Sequence, residues 1–339
     1  MHRKSSRNAS TQIIIEYLEK FRESPSKTIA RKIYNENLGF FDCLENVYVR
    51  VRYYRGQAGK KSRKHNSELH LIQDLKTTVM QNFYTMPSSL NEKRGTFTFP
   101  TGCKKLAIIG DLHVPFHDED AVETAFDKIE SESVDSILIN GDLLDFYQLS
   151  FHEKDPRKVK FKDEIEAGKQ FLGYIRSRFP DIPIYFIPGN HENRFERYLR
   201  IKSAELLDMD EFRLDVILKV AEHRIEYIPF RTKVVFGDFI IEHGDKIPGA
   251  GGVVPARTAL MRFKTNCVVN HFHKSSQSSQ RVYGTDESKS INGYSVGCLC
   301  DLAPDYMEIN EWNHGFCILT KTKDTVAVDN YKIENNTVL

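Results

Sequence analysis

The stretch KLAIIGDLH, residues 105–113, decides the fold that we expect for most of this chain. A short apolar run that ends in glycine predicts a buried strand followed by a sharp turn. The same order recurs in SILINGDLLD (136–145) and IPIYFIPGNHE (182–192). Between these runs, DEDAVETAFDKIE (118–130) and FKDEIEAGKQFLGYIRSRF (161–179) repeat their apolar residues at helical spacing. Strands that alternate with helices predict an α/β fold in which helices cover the sheet.

The chain after residue 230 reads mainly as strands, and two of them end in histidine-containing motifs. The first motif is IEHGD (241–245) and the second is VNHFHK (269–274). Residues i and i+2 of a strand face the same side, so His271 and His273 could point at one site. An isolated pair of this kind more often marks a solvated strand end. The prediction of a site therefore depends on all of the motifs together.

The polar residues at the strand ends form a ligand set for divalent metals. In open α/β sheets the carboxyl ends of neighbouring strands meet at one edge, where sites form. The side chains that follow the early strands include Asp111, His113, Asp142 and Asn190. Carboxylate, imidazole and carboxamide groups together suit Mn²⁺, Fe²⁺ or Zn²⁺. The six cysteines contain no CxxC pair, so we expect neither a zinc–thiolate site nor a disulfide framework.

In this order the motifs resemble those of the calcineurin-like metallophosphoesterase superfamily, whose pattern is DxH, GDxxD, GNH(D/E), H and GHxH. The resemblance covers about residues 105–320 and implies a metallophosphoesterase-type β-sandwich flanked by helices. It implies one metal held by Asp111, His113, Asp142 and His273. It implies a second metal, with Asp142 as the bridge, held by Asp142, Asn190, His243 and His271. Manganese is the favoured metal, and iron, zinc and nickel are the alternatives.

The resemblance also implies roles for two residues that are not metal ligands. His191 would protonate the leaving oxygen, and Asp145 would orient its imidazole and favour the charged form. The nucleophile would be a metal-bound water or hydroxide. Asn270 stands where the pattern has glycine, and we interpret it as a substitute, because Asn tolerates positive φ. DLHVPF, GDLLDF and EHGD differ from the protein serine/threonine phosphatase branch, which we therefore disfavour.

Residues near the motifs are candidate substrate contacts, namely Arg194, His117, Arg257 and His314. Arg194 follows GNHE and could hold a phosphate, or it could be a solvated helix residue. His117 could line the site, although its neighbour Asp118 could simply cap a helix. Arg257 ends the glycine-rich PGAGGVVPAR (248–257), which could equally be a surface loop. Trp312 could border the site or pack in the core.

The first 64 residues are basic, with fifteen Lys/Arg against six Asp/Glu, which predicts contact with a polyanion. Residues 11–23 and 28–37 predict two helices. VYVRVRYY (47–54) alternates like a strand, but the preceding DCLE (42–45) has the form of a capping box, so we favour a third helix. Three short helices with a tight second turn predict a helix-turn-helix domain. Its third helix would contact DNA through Arg50, Arg52, Tyr54 and Arg55, unless this is only a solvated basic helix.

We therefore predict a helix-turn-helix-like basic domain over residues 1–57, a linker and lead-in over 58–100, and a phosphoesterase domain over 101–335. The chain shows no apolar run long enough for a bilayer and no signal peptide, so we expect no membrane partner and a cytoplasmic protein. Residues 295–316 resemble the tail of phage and bacterial enzymes, and a phage protein would act in the host cytoplasm. The predicted function is a DNA-directed phosphodiesterase or nuclease. The alternatives are a phosphomonoesterase acting on a small molecule or phosphoprotein, and a DNA-binding regulator with a vestigial phosphoesterase fold.

Overall fold

The chain divides into two compact units, Met1–Asn91 and Glu92–Leu339. A computed structural model describes residues 9–66, 86, 88–91, 93–151, 154–249, 252–283, 289–305, 307–323 and 325–339. Of the segment that we interpreted as linker and lead-in, residues 67–85, 87 and 92 lie outside the described residues. We describe each unit by itself.

Four helices form the first unit within its described residues: α1 (Ala9–Lys20), α2 (Ser26–Glu36), α3 (Leu44–Tyr54) and α4 (Lys60–Asn66). The apolar residues that predicted α1 and α2 face inward and meet the β-branched residues of α3. The buried core comprises Ile14, Ile15, Leu18, Ile29, Ala30, Ile33, Phe41, Val47 and Val51. Burial of a continuous apolar face is what stabilises helices as short as these.

The structure resolves the ambiguity at residues 47–55 in favour of the helix, since α3 covers nearly all of this segment. The prediction of a capping box was wrong, because α3 begins after Cys43 and no side chain caps the backbone amides of its first turn. The turn between α2 and α3 covers residues 37–43, which is longer than the expected tight turn. The segment interpreted as a linker contains α4, so Lys60, Lys61, Arg63 and Lys64 lie on a helix.

The second unit consists of two sheets and flanking helices. Its strands are β1 (Thr96–Thr98), β2 (Lys105–Ile109), β3 (Ser136–Asn140), β4 (Ile184–Ile187), β5 (Ile225–Tyr227), β6 (Lys233–Phe236), β7 (Phe239–Glu242), β8 (Cys267–Val269), β9 (Ser276–Val282), β10 (Lys289–Ser295), β11 (His314–Lys321), β12 (Val326–Glu334) and β13 (Thr337–Val338). Its helices are α5 (Glu119–Ser131), α6 (Phe161–Arg178), α7 (Glu192–Lys202), α8 (Leu214–Ile217) and α9 (Pro255–Phe263).

Within the described residues, one sheet has the order β13-β12-β11-β2-β3-β4-β5 and the other β1-β6-β7-β8-β10-β9. Strands β2 to β5 are parallel, whereas β11 to β13 add antiparallel strands at one side. The carboxyl ends of β2, β3 and β4 are therefore neighbours, as the repeated strand–glycine motifs predicted. In the other sheet, β7 and β8 are parallel neighbours, which brings their ends together as well.

Successive side chains of β2 point to opposite faces of the sheet, and both faces are covered. Ala107 and Ile109 pack in the core shared with α5, α6 and α7, while Leu106 and Ile108 pack in the core between the two sheets. A smaller core joins α9 to the second sheet. The layers are therefore helices, sheet, sheet and helix. This arrangement confirms the expected α/β fold, a metallophosphoesterase-type β-sandwich flanked by helices.

Helix α9 and strand β9 are among the elements of the second unit that were missed in the sequence. Helix α9 begins with Pro255, inside the stretch that we interpreted as a glycine-rich loop. Strand β9 has the sequence SQSSQRV and is largely exposed, so it carries no apolar alternation that could have revealed it. Within the residues that the structure describes, no helix combines the length and apolar character needed to cross a bilayer.

Candidate metal centre

The loops that follow β2, β3, β4, β7 and β8 bring their polar side chains together at one edge of the sandwich. Backbone hydrogen bonds tie the loops to each other. The Asp111 N–H donates to Gly141 O at 3.1 Å, and the Asn270 N–H donates to His243 O at 2.9 Å. The Asp111 carboxylate also accepts the backbone N–H of His271 at 2.9 Å.

Several of the predicted ligands have left-handed backbone conformations, namely Asp111 (φ 52°), His113 (φ 50°), Asp142 (φ 51°), His271 (φ 73°) and His273 (φ 55°). His271 and His273 therefore do not lie on an extended strand as we predicted, although their side chains do converge. Sharp turns, and not an extended strand, aim them inward. Such conformations cost on the order of 1 kcal/mol each outside glycine, and they concentrate at functional sites.

The four residues expected to hold the first metal lie close together. The Nε2 atoms of His113 and His273 are 3.2 Å apart. Asp111 Oδ1 is 3.5 Å from His273 Nε2, and Asp142 Oδ2 is 3.9 Å from His113 Nε2. Each of these side chains is buried. Ligand atoms bonded to one metal at about 2.0–2.2 Å would lie roughly 3–3.5 Å from each other, which is close to this spacing.

The second expected group has similar spacing around the same aspartate. His243 Nε2 is 3.1 Å from Asp142 Oδ2 and 3.1 Å from Asn190 Oδ1. One ligand atom from each of Asp142, His243 and His271 lies within 4.8 Å of the others. His243 Nδ1 donates to Asn140 O at 2.9 Å, so Nε2 is the ring nitrogen that is directed into the cluster.

Two buried carboxylate oxygens at the middle of this cluster, Asp111 Oδ1 and Asp142 Oδ2, have no hydrogen-bond donor. A buried carboxylate oxygen without a partner is costly, and a cation is the usual way to satisfy it. The surrounding groups are imidazole nitrogens and an amide oxygen, which suit divalent metals of intermediate hardness. The residues present therefore fit a pair of such ions that share Asp142.

The electrostatics of the cluster agree with this interpretation. Burial disfavours the imidazolium form of His243, but the Asp142 carboxylate outweighs burial and raises the pKa of His243 to about 10. Burial also opposes ionisation of Asp142, yet the imidazoles, His243 first, hold the pKa of Asp142 well below its ordinary value. Burial, assisted by His243, lowers the pKa of His271 to about 4. The carboxylates thus create a negative field, and His271 offers a neutral imidazole.

His191 and Asp145 lie beside the cluster with Arg194. The His191 Nδ1–H donates to the backbone oxygen of Asp145 at 2.8 Å, and Asp145 Oδ1 is 3.2 Å from the same nitrogen. Asp145 Oδ1 also lies 3.1 Å from His113 Nδ1, so one carboxylate orients two imidazoles. Burial opposes ionisation of Asp145, but these hydrogen bonds lower its pKa. Arg194 donates to His191 Nε2 at 2.8 Å and to the Asp145 backbone oxygen at 2.9 Å.

Glu192 is a residue of the site that the sequence analysis missed. Its carboxylate is 2% exposed and accepts the backbone N–H groups of Asp142 (2.9 Å), Leu144 (2.9 Å) and Gly189 (2.7 Å). Burial, followed by the Asp142 charge, raises the pKa of Glu192 to about 7. Glu192 thus joins the loop after β3 to the loop after β4. The signal was available, since Glu is the last residue of GNHE.

Our interpretation of Asn270 as a glycine substitute was wrong. The left-handed residues of this motif are His271 and His273, and Asn270 is not among the residues with positive φ. Asn270 is fully buried, and its Oδ1 accepts a hydrogen bond from Asn140 Nδ2 at 2.8 Å. A Cβ on Gly110 would lie 2.8 Å from Asn270 Nδ2. The side chain of Asn270 therefore connects the ends of β3 and β8 and fills the space beside Gly110.

The other predicted substrate contacts have different surroundings. The His117 ring packs against Phe171, and Asp118 caps α5 by accepting the Ala121 N–H at 2.8 Å. Arg257, on α9, lines a cavity beside β9, away from the cluster. His314 donates to Cys300 O at 2.9 Å and supports the loop behind the site. The structure thus gives His117, Arg257 and His314 these contacts, and their roles in substrate binding stay predictions.

Trp312 borders the site. Its ring lies edge-on to His273, with centroids 4.1 Å apart, and it lines a cavity that His113 and Asp145 also line.

Of the residues predicted to contact DNA, Arg50, Arg52 and Tyr54 lie on α3 and Arg55 follows its last residue, but the four do not form one exposed face. Arg55 is buried and donates to Phe21 O and Arg22 O at 3.2 and 2.8 Å, so its assignment to DNA was wrong. Arg50 donates to Ser10 Oγ and Thr11 Oγ1, and Tyr54 packs on the helical core. Arg52 is exposed. The carbonyl groups that follow α1 bind Arg55, which the sequence pattern could not reveal.

The sandwich and the Asp/His/Asn cluster at its strand ends define a metal-dependent phosphoesterase, a hydrolase of ester bonds. Residues 104–291 match the family model of the calcineurin-like phosphoesterases, and the chain belongs to that family. The family implies divalent metal ions, which the described Asp and His groups could bind.

Similar proteins occur among phage sequences and solved structures. The chain is 25% identical to the Gene 54 protein of Mycobacterium phage D29 over 233 residues, which is 64% of this chain and 89% of that protein. Vps29 from Cryptosporidium parvum is 10% identical with a TM-score of 0.37, and the match covers 70% of this chain and 95% of that one. The phosphoesterase Yfce from E. coli is 12% identical with a TM-score of 0.33, covering 69% and 96%.

Proposed function

We propose that this protein hydrolyses phosphodiester bonds in DNA with two divalent metal ions, manganese being the favoured metal. The first ion would be held by Asp111, His113, Asp142 and His273, and the second by Asp142, Asn190, His243 and His271. The observation that carries the metal assignment is the pair of buried, donor-free oxygens, Asp111 Oδ1 and Asp142 Oδ2, that face imidazole nitrogens.

The bound metals would supply an activated water at neutral pH and would neutralise the phosphoryl oxygens. The chain's own groups position and protonate the substrate. His191 is the proposed general acid, and Asp145 orients it through Nδ1, which leaves Nε2 to carry the proton to the leaving oxygen. Arg194 now donates to His191 Nε2, and its guanidinium is placed to transfer that contact to a phosphate oxygen.

DNA is the favoured substrate because the first unit is basic. The proposed DNA-binding surface is not one face of α3. It consists of exposed cations, namely Arg52 and four residues of α4: Lys60, Lys61, Arg63 and Lys64. Clustered exposed cations bind phosphates without sequence preference. The helix-turn-helix character of this unit and action in the host cytoplasm are parts of the same proposal.

The experiment that tests the function is a panel of phosphoesters incubated with Mn²⁺-loaded protein and with an EDTA-treated control. The panel contains bis(p-nitrophenyl) phosphate, p-nitrophenyl phosphate, and single- and double-stranded DNA. We expect EDTA-sensitive hydrolysis of the diester and of DNA. Hydrolysis of the monoester alone would reject the nuclease, and no hydrolysis of either nitrophenyl ester would reject the phosphoesterase site.

The role of His191 requires a separate test, because a histidine this close to Asp142 could also be a metal ligand. His191 Nε2 is 3.8 Å from Asp142 Oδ2. We expect His191→Asn to lose turnover by about 10²–10⁴-fold, as for loss of a general acid, while it retains its metals. Asp142→Asn serves as the control that should lose metal. Loss of metal from His191→Asn would show that the imidazole is a ligand instead.

A further inference from the structure

A cavity of about 280 Å³ adjoins the metal cluster, and its inner end is lined by His113 and Asp145. Its walls include three aromatic rings, Phe116, Tyr147 and Trp312. All three residues are half-buried. An occupant of this cavity would lie directly beside the residues that position the phosphoester.

The three rings come from separate segments, and a hydrogen bond to the backbone or the side chain fixes each of these residues. The Asp301 N–H donates to Phe116 O at 2.8 Å. The Tyr147 hydroxyl accepts the Asp155 backbone N–H at 2.9 Å, and the backbone N–H of Trp312 donates to Asn310 Oδ1 at 2.8 Å. The Phe116 and Tyr147 rings meet edge to face, 5.8 Å apart. A single helix stripe would not produce this convergence, so the cavity has the character of a built pocket.

The rim of the cavity is polar, in contrast to its walls. Lys158 pairs with Asp305 and lies over the Phe116 ring at 5.2 Å, and Asp301 is also part of the lining. Flat aromatic walls with carboxylates at the rim suit a planar heteroaromatic ring. Its faces can stack on the walls, while exocyclic amino groups at its edge can donate to the carboxylates.

We propose that this pocket binds the nucleobase of the nucleotide next to the scissile phosphate. The proposal rests on the proposed function, since it names the group that the esterase site would recognise. A base inside a duplex is stacked and paired, and its entry would require unstacking. The pocket therefore gives the enzyme a preference for single-stranded DNA, or for frayed ends, over an intact duplex.

Trp312 provides a direct readout, because it is the only tryptophan of the chain and lines the pocket. The full-length, Mn²⁺-loaded protein is titrated with adenosine 5′-monophosphate while tryptophan fluorescence is recorded. Ribose 5-phosphate and inorganic phosphate are the base-free probes. We expect saturable quenching by the nucleotide, with at least about ten-fold weaker effects of both base-free probes, since stacking contributes this much for each base.

Variants of Phe116 test the stacking itself. Phe116→Ala and Phe116→Leu should weaken nucleotide binding about ten-fold, whereas Phe116→Tyr should retain it; the leucine variant keeps the volume and guards against a folding defect. The matched control is Phe230→Ala, at a half-buried phenylalanine that lines a different cavity. Equal binding of adenosine 5′-monophosphate and ribose 5-phosphate, or unchanged binding by Phe116→Leu, would overturn the proposal.

The two proposals fail separately. If nucleotide binding depends on Phe116 but no diester is hydrolysed, the pocket stands and the catalytic proposal is rejected. If diesters are hydrolysed and nucleotides do not quench Trp312, the catalytic proposal stands and the base pocket is rejected. Equal cleavage of single-stranded and duplex DNA would also contradict the pocket.

Discussion

Replacement of Glu192 by alanine tests whether this buried carboxylate holds the loops of the metal site together. The change removes the only side-chain acceptor that the structure gives to the backbone N–H groups of Asp142, Leu144 and Gly189 within its described residues. A buried donor left without a partner costs about 1–3 kcal/mol. Water can enter the space that the side chain leaves, so we take about 1 kcal/mol for each of the three amides and expect the free energy of unfolding to fall by about 3 kcal/mol.

Thermal unfolding followed by circular dichroism measures this loss. For a unit of this size, about 3 kcal/mol corresponds to a Tm lower by roughly 6–12 °C. Glu196→Ala is the matched control, since Glu196 lies one turn further along α7 and is exposed. An exposed substitution of this kind should change stability by less than about 0.5 kcal/mol. If the two variants unfold within about 1 °C of each other, Glu192 does not have the role that we assign to it.

Three further predictions follow from buried groups and surface charge. Glu164 is fully buried, and burial followed by the Asp145 charge raises its pKa to about 8 from an ordinary 4.5. The folded state therefore binds this proton more tightly, so the free energy of unfolding falls as pH rises between about 4.5 and 8. Glu164→Gln has no proton to lose, so its free energy of unfolding relative to the wild type should rise by a few kcal/mol towards pH 8 in denaturant titrations. Equal pH dependence of the two proteins would contradict this. Gly110→Ala should lower the stability of the folded protein by about 1–3 kcal/mol, because its Cβ would contact Asn270. Asn270→Gly in the same chain should reduce this loss, whereas additive effects of the two substitutions would argue against the contact. Alanine at the exposed cations of α4 should weaken DNA binding and reduce the slope of log affinity against log salt by roughly three, and an unchanged slope would exclude this surface; the residues replaced are Lys60, Lys61, Arg63 and Lys64.

Much of the sandwich could be predicted because its strands and helices carry strong periodic signals. The parallel strands β2, β3 and β4 are short apolar runs buried on both faces, and each ends in glycine and polar residues. Their order along the chain is also their order in the sheet. The grouping of Asp111, Asp142 and Asn190 follows from this topology alone.

What the sequence could not supply depends on tertiary contacts. Strand β9 is an exposed edge strand, and nothing in SQSSQRV distinguishes it from a loop. Arg55 reads as a surface cation, yet it is buried because the carbonyls of Phe21 and Arg22 accept its guanidinium. Asn270 reads as a backbone substitution, whereas its role is a side-chain hydrogen bond to Asn140. In each case the structure depends on contacts with other parts of the chain, which the local sequence does not show.

The most direct test of the account is an activity titration of metal-free protein with Mn²⁺, with bis(p-nitrophenyl) phosphate as substrate. The protein concentration is kept well above the dissociation constant of the metal, so that the rate reports stoichiometry. Because Asp142 lies between both ligand groups, we expect the rate to rise until about two equivalents of Mn²⁺ are added and then to level off. A plateau at one equivalent, or no hydrolysis at any Mn²⁺ concentration, would contradict the two-metal phosphoesterase.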